Sequence, residues 1–195
     1  MIVCDRCYGC GQCCKSYVAV TFSEITKIMQ YLNKKQEEWG DFFTFLIEEN
    51  GIGDYPYLLE TKKKQDGYCI FFNSAKRTCK IHHVKPFSCV RFFCESIRKT
   101  MPIAQFFTKH GLATEYRFRE SHFHTELTIL FKVISFFKQG VDRAWIRWYL
   151  NTEITGEFKI ELQKNEIDML ISLVNAYDQE IQRNSQPLII NEKRN

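Results

Sequence analysis

Cys7-Tyr8-Gly9-Cys10-Gly11-Gln12-Cys13-Cys14 places four thiols within eight consecutive positions. Two-residue gaps let successive thiolates turn toward one centre, as in zinc knuckles and in the cluster loops of ferredoxins. Gly9 and Gly11 permit the tight backbone that such a loop needs. Buried apolar cysteines falling into this pattern by chance are very improbable, so the stretch predicts a metal-binding loop. Cys4 extends the spacing backwards by one unit, yet taken alone it reads equally well as an ordinary buried thiol.

Working outward, five of the nine cysteines lie between Cys4 and Cys14, and Cys69, Cys79, Cys89 and Cys94 form a second group. The last 101 residues contain none. The expected organisation is a single domain over 1–195, with a cysteine-cluster metal-binding half at 4–99 and a helical half at 100–195. The second group has wide gaps and no knuckle, so it needs ligands from elsewhere in the chain. Adjacent Cys13 and Cys14 are not expected to face one centre together with Cys7 and Cys10. Convergence of the two groups answers both problems, and a metal shared across so long a loop would add stability through the unfolded chain's lost entropy. Tyr68, Phe71, Phe72, Phe87, Phe92 and Phe93 crowd the second group and would keep water from a site. His82 and His83 stand beside Cys79, and a ligand or supporting role is left open for them. Lys15, Lys80, Lys85 and Arg91 are among the basic residues that could offset the charge of bound thiolates.

The bulk composition narrows the class. Hydrophobic residues make up 45% and aromatic residues 15%, with 17 Phe, which predicts a packed globular chain rather than a disordered one. The net charge of +4 is spread along the sequence. The one basic run, Lys62-Lys63-Lys64, reads as a solvated turn, and there is no clear nucleic-acid signal. No leader pattern opens the chain and no apolar run reaches the length of a membrane span. A cytoplasmic location is therefore expected, where clustered cysteines serve as metal ligands rather than disulfide partners.

Periodicity predicts a mainly α fold with a small β element, in which the cysteine-rich loops pack on a helical bundle. Thr21 and Glu24 form a capping box ahead of Phe22, Ile25, Ile28, Met29 and Leu32. A second helix is expected over Trp39, Phe42, Phe43, Leu46 and Ile47, ended by Gly51 and Gly53. Tyr55 to Glu60 and Tyr68 to Phe72 read as strands, and Pro86 as the opening of another helix. Further helices are expected over His122 to Gln139, around Trp145, Trp148 and Tyr149 after an Asp142 cap, and from an Asn165 cap through Ile167, Leu170, Ile171, Val174 and Ile181. Phe158, Ile160 and Leu162 alternate as a short strand would. His110, His122 and His124 read as ordinary helix or loop residues.

Five blocks carry a family likeness: Cys7-x-x-Cys10-Gly11-x-Cys13-Cys14, Phe22-Ser23-Glu24-Ile25, Gly67-x-Cys69-Ile70-Phe71-Phe72, Cys79-Lys80-Ile81-His82 and Lys85-Pro86-x-x-Cys89. In order and spacing they resemble the YkgJ family of cysteine-cluster proteins, a zinc- or iron-chelating domain related to flagellin lysine-N-methylases. The resemblance runs from about Cys7 to Cys94. It implies Cys7, Cys10, Cys13, Cys14, Cys69, Cys79 and Cys89 as ligands. The chain departs from the family pattern in reading Lys85-Pro86 for Arg-Pro, in placing Val90 before Arg91, and in having Cys94 near an expected proline; Cys94 joins the candidate ligands.

The function expected is metal binding through clustered cysteines, by an iron–sulfur cluster of the 4Fe–4S kind in preference to zinc. Three thiolates at two-residue spacing plus remote cysteines is a common cluster pattern, whereas zinc more often takes two knuckle pairs. The alternative is a cluster-containing enzyme, either protein lysine methyltransferase-like or an oxidoreductase. A protein partner or substrate is left open.

Overall fold

The computed structural model describes residues 11–52, 55–91, 105, 108, 109, 111 and 113–185. Cys4, Cys7, Cys10 and Cys94, together with Phe92, Phe93 and His110, lie outside them. The chain divides into two compact units, Met1–Phe131 and Lys132–Asn195. The fold is mainly α with two small antiparallel sheets among the described residues.

In the first unit a one-turn helix, α1 (Gln12–Lys15), follows Gly11, and strand β1 (Ala19–Val20) leads into α2 (Phe22–Tyr31). The Thr21–Glu24 capping box is present at the start of α2, with each residue's side chain accepting from the other's backbone N–H. Phe22, Ile25, Ile28 and Met29 are buried along one face, as their spacing dictates. Strands β2 (Phe43–Ile52) and β3 (Tyr55–Thr61) pair antiparallel, and β1 joins the far side of β3 to give the order β1-β3-β2. In the ladder Phe45 faces Leu59 and Val20 faces Leu59 from the other edge.

The second expected helix is corrected by this sheet. Gln36–Asp41 forms a 3-10 helix that carries the buried Trp39, and the chain then turns into β2. Phe43, Phe45, Leu46 and Ile47 satisfy helical and strand spacing alike over so short a run. Pairing with β3 decides the outcome, because strand pairing is a tertiary effect that local periodicity does not contain.

A second sheet, β4 (Phe72–Asn73) with β5 (Thr78–Cys79), sets Phe72 opposite Cys79. The strand expected over Tyr68 to Phe72 is reduced to its end. Gly67 (φ 76°) and the Asp66 side chain, which accepts from the Tyr68 N–H at 3.1 Å, hold the preceding residues in a turn. A 3-10 helix, His82–Val84, and Pro86 then lead into α3 (Phe87–Arg91). The Pro86 carbonyl accepts from the amides of Cys89 and Val90, as a helix start requires.

Helix α4 (Ala113–Lys138) begins nine residues before His122, through a charged stretch on which apolar periodicity is silent. It runs across the boundary of the two units. In the second unit Gly140 (φ 76°) ends it and Asp142 caps α5 (Arg143–Thr152), accepting from Ala144 and Trp145. The strand expected at Phe158, Ile160 and Leu162 is corrected: α6 (Ile154–Phe158) stops at Lys159 (φ 57°), and among the described residues no strand pairs with Ile160 or Leu162. Helix α7 (Lys164–Ser185) starts one residue before the expected Asn165 cap. Ile167, Met169, Leu170, Leu173, Val174 and Tyr177 are buried on it. Among the described residues no helix is long and apolar enough to cross a membrane.

Candidate metal centre

Gly11 (φ 69°) turns the chain so that Cys13 and Cys14 fall on one helical turn, and its carbonyl accepts the Cys14 amide at 2.9 Å. A Cβ at Gly11 would stand 2.7 Å from the Tyr68 ring and 3.0 Å from the Phe72 ring. These two rings stack on each other with centroids 4.9 Å apart. Glycine is therefore needed twice, for its backbone angle and for the aromatic pair that closes over it. Lys15 lies over the same Tyr68 ring, 4.9 Å from its centroid.

The loop of the first cysteine group is fastened to that of the second through the backbone. The Cys69 amide donates to the Cys14 carbonyl at 2.7 Å. The Lys63 ammonium donates to the carbonyls of Cys14 and Ser16. Lys62 and Lys64 donate to the carbonyls of Gly40 and Phe72. The basic run expected to be a solvated turn is thus half-buried, and each ammonium ties down a backbone carbonyl. Its signal in sequence was only three charges in a row, which does not distinguish solvent from carbonyls.

Cys13, Cys14, Cys69, Cys79 and Cys89 are all free thiols. The Cys13 and Cys14 sulfurs are 3.9 Å apart. Adjacency does not send them in opposite directions: a tetrahedral metal with bonds of about 2.3 Å to sulfur spaces its ligands about 3.8 Å apart. The hydrogen bond from Cys14 holds the Cys13 thiol well below its ordinary value in spite of burial, and the Lys85 charge adds to the lowering. Cys14 is pushed up, because it keeps the shared proton, because it is buried, and because the charges of Cys13, Cys69 and Cys79 oppose its ionisation. Burial pushes Cys89 well up, reinforced by the charges of Cys13, Cys69 and Cys79 and by Glu24. Thiols drawn from both groups therefore feel one another's charge. Such a set ionises together only when a cation compensates it, which fits a thiolate-bound metal or cluster. Among the described residues no three His, Cys, Asp or Glu side chains stand in a ligand constellation.

Two carboxylates brace the surroundings, one of them, Glu126, missed in the sequence and the other, Glu24, expected there only as a helix cap. Glu24, beyond capping α2, accepts the Phe87 amide at 2.6 Å and so ties α2 to the first turn of α3, two residues ahead of Cys89. Burial pushes its carboxyl up to about 7, against its backbone hydrogen bonds. Glu126 of α4 is buried and accepts the Ser23 amide at 3.1 Å and the Ser23 hydroxyl at 2.5 Å. It also pairs with His122 at 2.6 Å. Burial works to raise the Glu126 carboxyl, but these hydrogen bonds outweigh it and hold it below the usual range. The capping box announced Glu24, and His122-x-x-x-Glu126 is a readable helical pair; their remote partners were not readable. His122, expected to be ordinary, is the neighbour of this buried acid. His82 is half-buried and His83 exposed on their 3-10 helix.

Compared with known proteins, residues 6–110 match the model of the CxxCxxCC family, described as "Putative zinc- or iron-chelating domain". The match covers just over half of the 195 residues. No curated protein matches the chain, and no solved structure does.

Proposed function

This chain belongs to the CxxCxxCC family of zinc- or iron-chelating domains, and from that premise we propose that its two cysteine groups hold one shared metal centre, an iron–sulfur cluster in preference to zinc. Metal chelation is the family's description; the cluster and its ligand set are our reading. Cys7, Cys10, Cys13 and Cys14 would supply the first group of ligands, and Cys69, Cys79, Cys89 and Cys94 the second. The observation that carries the reading is the Cys69 amide on the Cys14 carbonyl at 2.7 Å, with Cys69 and Cys79 near enough to Cys14 for their charges to act on it, and Cys89 near enough to feel those of Cys13, Cys69 and Cys79. The spacing Cys7-x-x-Cys10-x-x-Cys13 favours a cluster over zinc, since zinc sites more often join two knuckle pairs. Phe71, Phe72 and Phe87 are buried among the cysteine-bearing segments and would limit water at such a centre.

The test is iron, zinc and acid-labile sulfide analysis of protein purified without oxygen. Iron and sulfide in near-equal amounts, with brown colour, are expected. A colourless protein carrying zinc would overturn the cluster and keep chelation; protein free of metal would overturn both. The enzyme reading, methyltransferase-like or oxidoreductase, gains one point of support: Lys85, whose charge acts on Cys13, also lines a cavity large enough for an organic molecule.

A further inference from the structure

We propose that this cavity, bounded by the start of α2, the segment from His83 to Phe87 and helix α4, binds a small organic acid with a flat apolar body, its carboxylate held by Arg119 and Lys27. The cavity has a volume of about 520 Å³, within the range of small-molecule sites. Among the described residues no cysteine lines it, so the inference does not depend on the metal reading.

The wall divides by chemistry. Phe87, Phe118 and Phe123 give it flat apolar surface. Phe87 and Phe123 pack together with centroids 5.8 Å apart, while Phe118 is 69% exposed and stacks on His122 at 6.0 Å. An aromatic ring left in water at the rim of a cavity suits a ligand with an apolar face of its own.

The polar groups are of two kinds. Both carboxylates are already engaged: Glu24 accepts the amides of Thr21 and Phe87, and Glu126 accepts from Ser23 and His122. They hold the wall together and have little left for a cationic ligand. Among the basic groups His122 is paired with Glu126 and the Lys85 charge acts on Cys13, which leaves Arg119, whose charge also acts on Glu24, and Lys27 for a ligand. Arg119 lies over the Phe87 ring, 5.8 Å from its centroid, and among the described residues neither Arg119 nor Lys27 forms an ion pair. A guanidinium over an aromatic ring keeps its N–H groups available, and its planar fork suits two parallel hydrogen bonds to a carboxylate. The combination selects an anion at one end and a flat apolar group at the other.

The experiment is calorimetric titration of the full chain, metal retained, with phenylbutyrate and naphthylacetate, and with phenylbutyramide as the neutral counterpart. One acid molecule should bind per chain, with the amide weaker by about tenfold or more. Arg119→Gln should weaken the acid by about tenfold while leaving the amide's affinity and the metal content unchanged, and Arg119→Lys should restore part of the loss. The proposal is overturned if neither acid saturates the protein by about 10 mM, if acid and amide bind alike, or if Arg119→Gln leaves the acid's affinity unchanged.

Discussion

Gly11 shows how much one residue carries here. Its left-handed backbone and the rings of Tyr68 and Phe72 packed over it leave no space for a Cβ. Gly11→Ala should therefore lower unfolding free energy by at least about 2 kcal/mol, read from the denaturant midpoint; an unchanged midpoint would mean that the loop tolerates another path. Glu24 makes a pH-dependent prediction. Its folded-state carboxyl sits near 7, above its ordinary value of 4.5. Between those values the folded chain binds the extra proton, so Glu24's contribution makes stability fall as pH rises from about 4.5 to about 7 and is level above. Glu24→Gln removes that slope, and stability curves of parent and variant should diverge across this window only. Parallel curves would show that Glu24 does not titrate there. Of these two residues the sequence announced the glycine's turn and the glutamate's cap; the aromatic lid and the tether to Phe87 join positions too far apart for any local pattern.

At the scale of elements, the cysteine-bearing segments and the 3-10 helix between them are short and irregular: a one-turn helix, a hairpin of two-residue strands, the 3-10 helix and a five-residue helix. Pieces this small are not stable alone. They are held by side chains that cross between them, of which Lys63 is the clearest, donating to Cys14 and Ser16 from the edge of the 62–67 turn. Lys63→Met keeps the length and loses the donor. It should destabilise the chain by about 1–2 kcal/mol and speed hydrogen exchange at the Cys69 amide; unchanged exchange there would contradict the fastening role. The helices with long apolar faces, α2, α4, α5 and α7, were legible because their spacing repeats over several turns. The strand β2 was not, since Trp39 to Ile47 fits a helix as well as a strand until β3 is known to lie beside it. The alternation at Phe158, Ile160 and Leu162 misled for the opposite reason: it has no partner strand among the described residues, and Lys159 turns the chain there.

At the scale of the whole molecule, the cysteines lie in the first unit, all but Cys4 within the stretch that matches the chelating family, and the described part of the second unit is built of helices with a conventional apolar core. The spacing of Cys7 to Cys14 made the chelating role legible, because knuckle gaps have few other uses. The approach of Cys69 to Cys14 was expected only from the second group's need for outside ligands; the lysines and the carboxylates that surround it left no trace in the cysteine pattern. If the two groups share one centre, losing a ligand from either should empty the same site, and the binding energy lost should loosen the same part of the chain. The decisive measurement is metal per chain in protein prepared without oxygen from the parent and from Cys10→Ser, Cys79→Ser and Cys4→Ser. A shared centre predicts that Cys10→Ser and Cys79→Ser each lose most of the metal while Cys4→Ser matches the parent. Full metal content in Cys79→Ser, alongside loss in Cys10→Ser, would contradict it and leave the first group as a site of its own.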